Sequence, residues 1–188
     1  MLGESAAVRS QPTAKSYDVR SFHEAEHAVA AIELMMLGVT ARVKHDQSTR
    51  GIPTDADISF ACPALIDEPP QRALQRRLVV MLAGPEWELF STVRSTRRQI
   101  LREQRDDRIA VIHVIKQLRN LCGMRGNALR KCIEDAWNEA GAIRESKNHH
   151  IVRIADALQA SGTLDDSQLR VLFAQSSFEG PGLQSSGK

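Results

Sequence analysis

The stretch SFHEAEHAVAAIELMML, Ser21 to Leu37, places the strongest constraint on how this chain can fold. Read as a helix at 100° per residue, it is apolar on nearly every side, apart from a stripe holding Glu26 and Glu33. Such a helix is buried over most of its surface, so the rest of the chain has to wrap around it. Gly38 follows and reads as its stop. The helix thereby carries two imidazoles and a carboxylate, His23, His27 and Glu24, into an apolar setting. Burying them is costly unless something pairs them.

The remainder is long enough to do the wrapping. With 188 residues, 42% of them hydrophobic, the chain fits one domain with a real core plus short tails. Residues 1–20 read as a flexible, polar N-terminal arm, 21–175 as the domain, and 176–188, with Gly180-Pro181-Gly182 and Ser185-Ser186-Gly187, as a disordered tail. The arm has no apolar core of a signal peptide, and the run Ala28 to Val39 is broken by Glu33 and too short to span a bilayer. Lys and Arg number 25 against 23 Asp and Glu, a near balance that calls for neither nucleic acid nor an anionic membrane as partner. Cys62, Cys122 and Cys132 are an odd number without C-x-x-C spacing. Reduced thiols and a soluble, cytoplasmic protein are expected.

The body reads as mainly α with a small β element beside the histidine helix. Val39 to Lys44 alternates as a strand, with Asp57 to Ala61 as its partner across a loop holding Asp46, Gly51 and Pro53. Pro69-Pro70 opens a helix from Gln71 to about Met81, ending near Gly84-Pro85. A third helix covers about Glu103 to Leu121 and ends at Gly123. A long fourth runs from Asn127 to about Ser161, with a break expected near Gly141. Asp165-Asp166-Ser167-Gln168 forms a capping box that starts a last helix to about Phe173.

His23 and His27 lie one helical turn apart on one face, so both rings can reach a single ion at about 2.0–2.1 Å. Glu24 lies about 100° round the helix, free to hold and deprotonate a metal-activated water rather than ligate. The competing reading is a pair of helical histidines satisfied by ordinary hydrogen bonds. A catalytic zinc site usually has three protein ligands, and the third is sought in Arg105-Asp106-Asp107-Arg108. Asp107 falls in the middle of the stripe Val111, Val114, Ile115 and Leu118, while Asp106 points towards the face of His113 and Gln117. A carboxylate centred on an apolar stripe wants a cation, which selects Asp107 as ligand. Asp106 is the fallback if the helix starts one residue out of phase. Taken without the histidine motif, Asp107 reads equally well as an N-terminal carboxylate facing the helix dipole.

The motif His23-Glu24-Ala25-Glu26-His27-Ala28-Val29 resembles the zinc helix of the FtsH-type metallopeptidases, H-E-A-G-H-A-V. Met81-Leu82-Ala83-Gly84-Pro85-Glu86-Trp87-Glu88 is similar to that family's L-L-G-G-x-A-A-E segment. Asp106-Asp107 stands where the family has N-D, whose Asp is its third zinc ligand. Ile154-Ala155-Asp156-Ala157-Leu158 through Gly162-Thr163-Leu164, with the capped helix Gln168 to Leu172, resembles its C-terminal motifs, so the likeness spans Ser21 to Phe173. It implies a zincin-like helical peptidase domain and a zinc-dependent endopeptidase, with zinc on His23, His27 and Asp107 and Glu24 as general base.

Two departures stand out. Glu26 replaces the family glycine, adding a side chain and a charge beside the first ligand; its shared stripe with Glu33 fits exposure to solvent, and crowding of the site is the alternative. No G-x-x-x-x-G-K-[ST] loop occurs, and neither the family's AAA ATPase nor its membrane anchor is present. The expected partners are therefore unfolded or flexible polypeptides, supplied with or without a separate ATPase or self-association. A non-catalytic helical adaptor with a structural zinc site is the rival reading, and a hydrolase of something other than peptides a second. Other features read plainly. Arg94, Arg97, Arg98, Arg102, Arg105 and Arg108 form a solvated face or meet an acidic peptide, His149-His150 lie at the surface, Met35 and Met36 are core, and Trp87 and Trp137 pack. The chain's only tyrosine, Tyr17, lies in the arm, and His45 is a loop histidine near the zinc helix in sequence; neither is assigned as an oxyanion stabiliser.

Overall fold

The computed structural model describes residues 19–45, 53–63, 65–91 and 96–175. The elements run α1 (Val19–Glu33), β1 (Leu37–His45), β2 (Pro53–Ala61), α2 (Pro70–Ser91), α3 (Arg97–Glu103), α4 (Arg105–Leu121), α5 (Gly126–Ser161), β3 (Thr163–Leu164) and α6 (Asp166–Ala174). The chain is mainly helical with one small sheet, as its patterning implies. The expected arm up to residue 18, including Tyr17, lies outside the described residues, as do the tail from residue 176, Asp46, Gly51 and Arg94. Val19 and Arg20, assigned to the arm from sequence, open α1 instead.

Helix α1 is the centre of the molecule. Its residues from Ser21 to Ile32 are all buried, and it packs against α2, α5 and β1. Burial extends to Glu26, which is 2% exposed rather than solvated. Its stripe partner Glu33 does reach the surface, 3.0 Å from Lys147. Glu26 faces Glu86 of α2 and Arg144 of α5. Burial, reinforced by Glu86 and opposed by Arg144, pushes its carboxyl up to about 9. The extra side chain therefore enters the core as a neutral acid and adds no charge beside His23 and His27 at neutral pH.

The helix ends earlier than Gly38. Met35 takes φ +57° and turns the chain, and Gly38, at φ +58°, sits in β1 where the pairing register shifts between Leu37 and Thr40. Met35 is 57% exposed, contrary to the core reading, whereas Met36 is fully buried. The sheet has the order β2-β1-β3, antiparallel throughout. Val39, Ala41 and Val43 of β1 face the core, as period-2 alternation requires.

Helix α2 does not stop near Gly84-Pro85 but continues through both to Ser91. Its middle, Leu78 to Pro85, is wholly buried, with α2 packed on α1, α5 and α4, and that packing outweighs the local cost of proline. The third helix expected from about Glu103 to Leu121 forms as α4, and a short helix that the patterning did not indicate, α3, precedes it across Gln104. The interruption of α5 falls at Lys147 (φ −115°, ψ 16°), not near Gly141. The capping box at Asp165 and Gln168 forms as expected. No helix among the described residues is long and apolar enough to cross a membrane.

Candidate metal centre

Three side chains from two helices meet at one point. His23 and His27 lie on α1 with their Nε2 atoms 3.1 Å apart. Asp107, in the first turn of α4, places Oδ2 2.9 Å from His23 Nε2 and Oδ1 3.3 Å from His27 Nε2. The residues Val111, Val114 and Leu118 hold α4 in this phase by burying their side chains, and α4 packs on α2. Asp106 is exposed and stands outside the group. The phase that the apolar stripe implies is the one adopted.

The outer nitrogens explain which way the rings face. His27 Nδ1 lies 2.6 Å from the Val80 carbonyl, which can only accept, so Nδ1 carries a proton and donates it. In the neutral ring, Nε2 is then a lone pair aimed into the shared space. His23 Nδ1 is in ion-pair contact with Glu88 Oε1 at 3.0 Å, which favours the same tautomer. Gln104 Nε2 donates to the same Glu88 oxygen. Glu88 and Val80 are tertiary partners from α2, and the sequence motif alone did not identify either role.

Two lone pairs and a carboxylate facing one another repel unless a cation lies among them. Protons can supply that positive charge. Burial works against an imidazolium at His23, but the Asp107 and Glu88 carboxylates outweigh it and push the ring up to about 10. Burial likewise opposes the charged form of Asp107, yet the two imidazoles hold its carboxyl well below the usual range. The buried His23–His27–Asp107 group could hold a metal ion, and the donor set, two imidazoles and one carboxylate, suits a borderline ion.

Beside the group lies a cleft of about 690 Å³ lined by Glu24, Glu88, Ala56, Ile100 and Gln104 together with His23 and Asp107. Glu24 is only 5% exposed. Its Oε2 has no hydrogen-bond partner among the described residues. Burial raises its pKa, and the two histidines oppose the rise. Glu24 thus lines the same cleft as His23 and Asp107 and stands outside the His23–His27–Asp107 group. Phe22 and Trp87 stack at 4.6 Å and pin α1 to α2 next to the site, so Trp87 is a packing residue. Trp137 is buried, with the Arg97 guanidinium 5.2 Å from its ring centre. His149 is exposed as expected. His150 is not; it is buried and stacks on Phe173 at 4.5 Å. The side chain of His45 is outside the described residues. No protein-family model matches the chain, and a search of curated proteins finds no significant match.

Proposed function

We propose that this chain is a zinc-dependent endopeptidase with a zincin-like arrangement, built like the FtsH-type metallopeptidase domain that its motifs resemble. The observation that carries this reading is the pairing of a buried His23–His27–Asp107 group with a separate carboxylate, Glu24, whose Oε2 has no hydrogen-bond partner among the described residues, in one cleft. A purely structural site has no use for that carboxylate. Zinc held by the three ligands would supply Lewis acidity and lower the pKa of a water towards about 7. Glu24 takes the proton of the attacking water and passes it to the leaving amine. Its raised pKa suits both steps, because it accepts more readily than an ordinary carboxylate and can still release the proton.

An extended polypeptide suits the cleft. β2 is an outer strand of the sheet and its residue Ala56 lines the cleft, so a flexible segment could add alongside it as a further strand. With no phosphate-binding loop in the sequence, the chain on its own is expected to cut flexible or unfolded polypeptides without ATP and to leave tightly folded ones intact.

The test is elemental analysis of protein purified without chelators, together with casein cleavage by the wild type and Glu24→Gln. About one zinc per chain is expected in both proteins, with cleavage reduced by about 10²–10⁴-fold in the variant. No zinc even after its addition would sink the reading. Zinc without cleavage by the wild type would favour the structural adaptor.

A further inference from the structure

The side of α2 that faces the histidines repeats every helical turn. Val80 accepts from His27 Nδ1 through its carbonyl, and Glu88 contacts His23 Nδ1 through its carboxylate. Gly84 lies midway between them, four residues from each. A Cβ built on Gly84 would stand 2.4 Å from His27 Nε2 and 2.5 Å from His23 Nε2. No real side chain comes that close to another atom, and the obstructing atoms are the metal-donor nitrogens themselves. An ion shared by those nitrogens lies about 2.0–2.1 Å from each. A methyl group on Gly84 would therefore crowd both donor nitrogens and the space beside them in which an ion would be shared.

We propose that Gly84 is a positioning residue of the metal centre: its missing side chain clears the seat in which His23 and His27 share an ion. The proposal rests on the zinc reading above. It also accounts for a glycine kept in the buried middle of a 22-residue helix, where alanine would favour the helix more. There α2 contributes one residue per turn to the site: a carbonyl that orients one ring, a gap before both ligating nitrogens, and a carboxylate that orients the other ring. The backbone of α2 also closes that side of the site, which leaves the cleft of Glu24 as the open side.

The experiment compares wild type, Gly84→Ala, the double variant His23→Ala/His27→Ala, and the triple variant adding Gly84→Ala to the double. Zinc affinity is measured by calorimetry, the visible bands of bound Co²⁺ report ligand geometry, and melting in the absence of metal reports the fold. Gly84→Ala should bind zinc at least tenfold more weakly and lose or shift the Co²⁺ bands. The triple variant should melt no lower than the double, because with the imidazoles gone the methyl has room. Unchanged zinc affinity and Co²⁺ bands in Gly84→Ala would overturn the proposal while leaving the zinc reading intact. If Gly84→Ala fails to fold and the triple variant fails as well, the glycine serves helix packing and the proposal falls. A wild type that takes up neither metal overturns both.

Discussion

His23 and Glu88 face each other across the seam between α1 and α2, with Nδ1 3.0 Å from Oε1. The contact is an ion-pair approach rather than an aligned hydrogen bond, and on the other side of the ring Nε2 lies 2.9 Å from Asp107 Oδ2. Outer partners of this kind raise ligand basicity and fix the tautomer. Glu88→Ala should therefore weaken zinc binding by about 10–100-fold without removing a ligand. Calorimetric titration of the apo protein measures this, and unchanged affinity would show that Glu88 does not support the site.

The two neighbouring aspartates should separate cleanly. Asp107 contacts both Nε2 atoms, whereas Asp106 is exposed. If Asp107 is the third ligand, Asp107→Asn should cost more affinity than the about 10–100-fold expected of an outer partner. Asp106→Asn should be nearly silent. A larger loss of zinc affinity from Asp106→Asn would reverse the assignment.

Acid should loosen the packing of α5 on α6 through His150. Burial, with His149, Arg153 and Lys147 close by and Glu33 the opposing carboxylate, holds this ring below the ordinary histidine range. The unfolded chain then binds the proton more readily than the folded one. The stability supplied by the neutral ring is complete above about pH 6.5 and is lost as pH falls through the lowered folded value. Urea denaturation at pH 7.5 and 5.5 should show a smaller loss for His150→Phe than for wild type. Equal losses would exclude His150 as the source.

Away from the site, Arg76 makes a buried polar cluster. Its guanidinium bonds both oxygens of Glu68 at 2.8 and 2.6 Å and donates to the carbonyls of Leu34 and Pro63. It thus ties α2 to the turn after α1 and to the segment that precedes α2. Arg76→Met leaves a buried carboxylate and two carbonyls short of a donor, and should cost about 3–5 kcal/mol. Equilibrium denaturation checks it; a loss below about 1 kcal/mol would place the pair with surface ion pairs.

What could be read from the sequence was what repeats within a few turns. The one-turn spacing of His23 and His27, the apolar stripe that turns Asp107 inward, and the capping box at Asp165 all depend on neighbours three or four residues away. What escaped depends on docking between distant segments. On its own helix Glu26 shares a polar stripe with Glu33, but Arg144 and Glu86 come from α5 and α2 to meet it in the core. Gly84-Pro85 carries a local stop signal, which packing against α1 overrides. Met35 rather than Gly38 turns the chain because the strand begins early enough to take the glycine into a bulge.

The two imidazoles sit on the most enclosed helix of the fold, whereas the carboxylate sits on α4, which rests on α2 and α3. That division separates how tightly an ion is held from how fast it is exchanged. Affinity draws on all three donors, but the histidines cannot retreat without breaking the core, so an ion would come and go by the outward swing of α4. Resistance to a chelator would then be set by a local opening of one peripheral helix, a far smaller event than global unfolding.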